Sequence, residues 1–214
     1  MMSRSIAGIA LPEGAMAQAA TAAARNSEPS LLFRHSMRVF LFASLIGRRR
    51  GLEFDANLLY VAALFHDIGL MDAYRHSRKR FEVDSANAAD AFLSRHQVSQ
   101  ADRDEAWRAV ALHTTFGIPA EMATLTALLS AGVETDLLGL HFEEISDAER
   151  IDVLREFPRG TQFKERIIDT LAQGMASRPA TTFGTVNADV LDRCDPNYRR
   201  LNFCGLILGS SWKE

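Results

Sequence analysis

The chain has 214 residues, 47% of them hydrophobic and 24% charged, with a net charge of −3. That length suits one domain with short extensions, and the near-neutral balance gives no global attraction to nucleic acid or to an anionic membrane. The two cysteines, Cys194 and Cys204, lack CxxC spacing, so they predict reduced thiols in a cytoplasmic protein rather than a zinc knuckle or a disulfide framework.

The first segment is alanine-rich, but Pro12, Glu13 and Gly14 interrupt it before the apolar stretch of a signal peptide builds up. No run approaches the roughly 18 apolar residues of a membrane span. Helical periodicity then dominates, and no convincing strand alternation is seen. Ala15 to Arg25 is rich in alanine, the best helix former. Leu31 to Arg50 carries an apolar stripe of Leu31, His35, Val39, Phe42 and Ile46 at three- and four-residue spacing, and closes on basic residues before Gly51. Ala56 to Ile68 is apolar all round, the mark of a buried central helix. A basic loop, Tyr74 to Arg80, leads to a helix over Phe81 to His96. Ser99 predicts the cap of a helix running to about Thr115. Thr124 to Gly132 and Glu134 to Leu140 read as two short pieces. Ser146 with Glu149 predicts a capping box for a helix to Phe157. A last helix covers Phe163 to Ser177, and the tail from Ala180 has no clear pattern.

Three segments place metal-type ligands at buried positions. His35 lies in the middle of an apolar face. His66 and Asp67 end the all-apolar helix. Asp136 sits among Val133, Leu137 and Leu140. A buried carboxylate needs a cation or several donors, since bare burial is costly or raises its pKa, and one divalent cation would satisfy both aspartates. Imidazole and carboxylate ligands suit zinc, iron or manganese. An HD dipeptide alone is nearly worthless as a signal; the ordered set on helix faces is stronger.

The order His35, His66–Asp67, Asp136 resembles the HD superfamily of metal-dependent hydrolases. The stretches FRHSMRVFLF, AALFHDIGL, RFEVDSANAADAFL, AWRAVALHTTFGI and AGVETDLLGL, with EFPR at Glu156 to Arg159, look like the cyanamide hydratase-type HD proteins, from about Leu31 to about Lys164. The resemblance implies an all-α fold, a single globular helical bundle around a central metal site. It implies His35, His66, Asp67 and Asp136 as ligands of one divalent metal, zinc foremost with iron or manganese as alternatives, and activated water as the reagent. The expected organisation is a helical extension over 1–30, the HD domain over 31–178 and a tail over 179–214 packed on the domain; the first thirty residues and the tail carry little of the resemblance.

Around the metal, His113 in the ALHT stretch is the candidate for proton transfer or substrate polarisation; its bland alternative is a helix-end histidine bonded to a carbonyl. Glu82, in the first turn of its helix, is either a dipole-favoured acid or a carboxylate orienting a histidine ligand. Trp107, Phe42 and Phe65 read as core. The preferred function is hydration of cyanamide or a similar small nitrile-like compound. The alternative is a phosphohydrolase, for which Arg78, Lys79 and Arg80 would bind phosphate. A non-catalytic HD module that binds a metabolite is a third class. The expected partner is a small-molecule substrate, with no nucleic acid and no membrane; a homo-oligomer is left open.

Overall fold

The computed structural model describes residues 4–212. It opens with a small antiparallel hairpin of β1 (Ser5–Ile6) and β2 (Ile9–Ala10). Ala7 and Gly8 turn it with positive φ at both positions, the conformation that matches the twist of a tight hairpin. Strands this short show no alternation, which is why the sequence reading found no strand here.

The helices follow in order: α1 (Ala15–Ser27), α2 (Ser30–Arg49), α3 (Ala56–Phe65), α4 (Phe81–Arg95), α5 (Gln100–Leu112), α6 (Thr124–Leu138), α7 (Asp147–Glu156), α8 (Phe163–Met175), α9 (Asn187–Cys194) and α10 (Phe203–Leu208). The fold class is therefore all-α, as expected. None of the described helices is long and apolar enough to cross a membrane. Caps form where the sequence predicts them: the Ser99 hydroxyl accepts from the Asp102 amide, and Ser146 and Glu149 complete a capping box.

α2 and α3 lie side by side at the centre. α2 is buried on almost every face, including Phe40, Leu41 and Ile46, so the expected single stripe understates its burial. α6 packs along α2 as one continuous helix, where the sequence suggested two pieces. Gly132 reads as a break but is a contact: a Cβ there would stand 2.5 Å from the Val39 carbonyl oxygen. A glycine inside a helix costs about 1 kcal/mol against alanine; here it lets two backbones approach.

α3 also stops earlier than expected, at Phe65. The His66 ring turns back to donate from Nδ1 to the Ala63 carbonyl at 2.7 Å, and the chain enters a 3-10 turn, Ile68–Leu70. Gly69 is required in that turn, because an added Cβ would meet the Phe81 carbonyl at 2.1 Å. Its amide donates to Ser85 Oγ at 2.8 Å, and Arg178 donates to its carbonyl and to Asp84. The HD pair is thus pinned between the end of α3 and the start of α4.

The C-terminal third forms a second apolar cluster. Phe163, Ile167, Met175 and Leu191 of α8 and α9 pack on Leu31, Leu32, Leu70 and Phe81. The segment without a readable pattern therefore contributes α9 to the wall of the central site.

Candidate metal centre

His35 projects from the middle of α2, and His66 and Asp67 from the turn after α3; all three are buried. Each offers a ligand atom, and these atoms lie within 4.8 Å of one another. His66 Nε2 is 3.2 Å from His35 Nε2 and 3.3 Å from Asp67 Oδ2. His35 Nε2 is 3.8 Å from the same oxygen. His113, at the C-terminal cap of α5, brings its Nε2 to 3.6 Å from Asp67 Oδ1 and its ring edge against His66, but it falls outside the group of three.

The Nδ1 side of each imidazole is already committed. His66 bonds the Ala63 carbonyl, His113 bonds the Val110 carbonyl at 2.6 Å, and His35 bonds Asp136 Oδ2 at 2.6 Å. Carbonyls and ionised carboxylates only accept, so these Nδ1 atoms carry hydrogen. In the neutral rings every Nε2 then presents a lone pair, and the lone pairs converge on a carboxylate. Acceptors facing acceptors in a buried space are unfavourable unless a proton or a cation lies among them. The residues thus fit a divalent cation: two imidazoles and one carboxylate, with hydrogen-bonded far sides, are a typical ligand set of a catalytic site.

The charges follow the same geometry. Burial pushes the His66 imidazole down to about 3, so it remains neutral as a ligand must. Burial alone would raise the Asp67 carboxyl, but the imidazoles of His66, His113 and His35 outweigh it and hold it well below the usual range. His113 goes the other way: burial disfavours its charge, yet Asp67 and Glu82 prevail and lift it above its ordinary value.

Asp136, expected beside these residues as a fourth ligand, stands on the far side of His35. α6 delivers it to Nδ1, and Arg38, one turn along α2 from His35, grips both its oxygens at 2.7 and 2.8 Å. Burial would raise this carboxyl, but the His35 hydrogen bond and Arg38 hold it well below its ordinary value. Arg159 donates to the Asp136 carbonyl at 2.6 Å and lies over the Phe163 ring, as does Arg38. Arg38 was given no role from the sequence, although an arginine one turn after His35, between Met37 and Val39 on the apolar stretch that runs to Ala43, is a readable signal.

Glu82 is fully buried in the first turn of α4, and it bonds no histidine among the described residues. Its Oε1 accepts from Arg80 at 2.9 Å, from the Thr114 hydroxyl and from Asn187 Nδ2 at 2.8 Å. Burial would raise this carboxyl too; Arg80, His113 and Thr114 outweigh it and keep it below its ordinary value. Glu82 therefore orients Thr114 and Asn187. Asn187, from the unread tail, was missed.

A cavity of about 200 Å³ opens over the cluster. His35, His66, Asp67 and His113 form its floor, Thr114 and Asn187 its other polar edge, and the remaining lining is aliphatic and aromatic. No lysine or arginine lines it among the described residues. Arg78 and Lys79 are exposed on the basic loop, and Arg80 is turned to Glu82. Phe42, Phe65 and Trp107 do not line it either: the two phenylalanines are core, and Trp107 packs against the core with its Nε1 bonded to Asn87. His76 lies on the exposed loop, while His96 stacks on Phe92 at a helix end. His141 is held between Glu134 and Glu144.

A search among curated proteins found none that matches the chain. Residues 32–153 match the HD domain family, whose members are generally metal-dependent hydrolases. That span begins just before His35 and ends beyond Asp136, so it contains the whole buried cluster, and the chain belongs to the HD domain family.

Proposed function

We propose that the protein is a metal-dependent hydratase that adds water to a small neutral nitrile-like compound, with cyanamide to urea as the model reaction. His35, His66 and Asp67 would hold one divalent cation, zinc in the first place and iron or manganese as alternatives, and Asp136 would fix the ring of His35. A divalent cation there supplies Lewis acidity and lowers the pKa of water, to about 7 in favourable zinc sites. The addition is balanced by water alone: its oxygen bonds to the nitrile carbon and its two hydrogens end on nitrogen.

The observation that carries this reading is the lining of the cavity. Beyond the ligand cluster, Thr114 and Asn187, its walls are apolar, and no lysine or arginine lines it among the described residues. A phosphoester would enter with its charge unmatched by the protein, whereas buried anions are ordinarily met by paired cations. A neutral electrophile has no such need. The apolar walls exclude bulk water, which strengthens electrostatic interactions within. His113 would take or return a proton at Nε2; Asp67 lies beside that nitrogen, and the Val110 carbonyl holds the other.

The test is a side-by-side screen of the metal-loaded protein on cyanamide, small nitriles and a nucleotide panel. Urea or amide formation that depends on the metal supports the proposal. Robust nucleotide hydrolysis with no turnover of cyanamide or nitriles would replace it with the phosphohydrolase reading.

A further inference from the structure

The cavity has two polar edges of different character. One is the ligand cluster. The other is formed by Thr114, just after α5, and Asn187, the first residue of α9. Both donate to the same oxygen, Oε1 of Glu82. Glu82 is fully buried and paired with Arg80, and an ionised carboxylate accepts only. It consumes the single hydroxyl hydrogen of Thr114. It also fixes the orientation of the Asn187 amide, because only the nitrogen can face a carboxylate. The amide carbonyl, Oδ1, is left without a hydrogen bond among the described residues, on a residue only 4% exposed that lines the cavity. Thr114 still offers only lone pairs, and Asn187 offers the lone pairs of Oδ1 beside the second hydrogen of its Nδ2.

We propose that Asn187 and Thr114 are specificity-determining residues, an acceptor pair preset by Glu82 that selects substrates with an N–H donor next to the reacting carbon and an apolar body behind it. This rests on the hydratase reading and deepens it: the substrate class becomes a monosubstituted cyanamide, R–NH–C≡N, with R a small aryl or alkyl group. Cyanamide itself has the donor but leaves the apolar wall unfilled. A cavity of about 200 Å³ is ample for a phenyl-sized group, since apolar protein cavities of about 150 Å³ accept benzene. The wall that R would meet includes Ile167 and Leu171 of α8 and Val190 of α9, all beyond the residues that match the family.

The experiment compares phenylcyanamide with phenylacetonitrile, in which a CH₂ of similar size replaces the N–H. Binding to the metal-loaded protein is measured by calorimetry, and hydration is measured separately. Phenylcyanamide should bind about three- to tenfold more tightly, the range of one neutral hydrogen bond. Asn187→Ala and Thr114→Val should each shrink that ratio toward one. Glu82→Gln, which keeps both side chains but removes the accept-only anchor, should also shrink it. Equal binding of the two compounds by the unaltered protein overturns the proposal, as does a ratio that survives both Asn187→Ala and Thr114→Val. Discrimination in binding without hydration of either compound or of cyanamide supports the acceptor pair and overturns the hydratase reading. Hydration without discrimination overturns the acceptor pair alone, and failure to bind either compound overturns the monosubstituted-cyanamide class, the hydratase reading then standing or falling on the turnover of cyanamide itself.

Discussion

Arg38 and Asp136 form a two-point ion pair with neither side chain exposed to solvent. The pair is the foundation on which His35 rests, because Asp136 Oδ2 also accepts from His35 Nδ1. Removing one member of a buried pair strands the other charge, which typically costs about 3–5 kcal/mol. Arg38→Met should therefore lower unfolding free energy by about that amount, read from urea denaturation. It should also weaken metal affinity by about 10- to 100-fold, the usual effect of losing an outer contact that orients a ligand. A variant with unchanged stability and metal affinity would show that Arg38 does not hold the site.

Asp67→Ala should abolish metal binding, because Asp67 is the one carboxylate among the three clustered donors. His96→Ala should leave metal content unchanged, since His96 packs on Phe92 at a helix end, apart from the cluster. Elemental analysis after dialysis separates them: about one metal per chain in the unaltered protein and in His96→Ala, and none in Asp67→Ala. Equal loss in both variants would mean that the ligands lie elsewhere.

Much of this site was legible because its signals are local. A histidine inside an apolar stripe, an HD pair at the end of an all-apolar helix and an aspartate one turn from leucines are all visible in the order of residues. What was not legible depends on which helix meets which. The sequence cannot say that α6 brings Asp136 to the far nitrogen of His35, because that follows from the close α2–α6 approach allowed by Gly132. Nor can it pair Glu82 with Asn187, 105 residues along the chain. Gly132 itself misled, since a helix-breaking residue and a helix-contact residue look alike until the neighbour is known. The tail from Ala180 stayed unread because α9 spans only eight residues, about two turns, too short a stretch for its one apolar face to stand out.

His113→Ala should slow hydration of a neutral substrate while metal content stays at the unaltered level. His113 lies beside Asp67 but outside the group of three donors. Loss of a positioned acid or base commonly costs about 10²- to 10⁴-fold in rate. Elemental analysis and steady-state kinetics on the same preparation check this. Parallel loss of metal would make His113 a ligand instead.

The basic loop gives a test of substrate charge. Arg78→Ala with Lys79→Ala should leave hydration within about twofold, because both side chains are exposed and neither lines the cavity. Arg80 must be kept out of that comparison, since its guanidinium compensates the buried Glu82. Turnover that falls more than tenfold in the double variant would reinstate an anionic substrate.

Glu28 offers a pH test of the fold. It closes α1 and is buried, and neither carboxylate oxygen has a hydrogen-bond partner among the described residues. Burial first, and then the nearby charge of Asp67, raise its carboxyl well above the ordinary 4.5. Folding therefore favours the protonated form. Its contribution to stability is complete below the unfolded value and is lost as pH rises through the folded value, at up to about 1.4 kcal/mol per pH unit. Glu28→Gln keeps the shape and cannot ionise. Its stability relative to the unaltered protein should thus grow with pH from about 4.5 upward, and level off above the folded pKa. Urea denaturation of both proteins across pH 5–8, at one fixed metal concentration, measures the difference directly. A difference that stays constant over that span would show that Glu28 ionises as easily in the folded protein as in the unfolded chain.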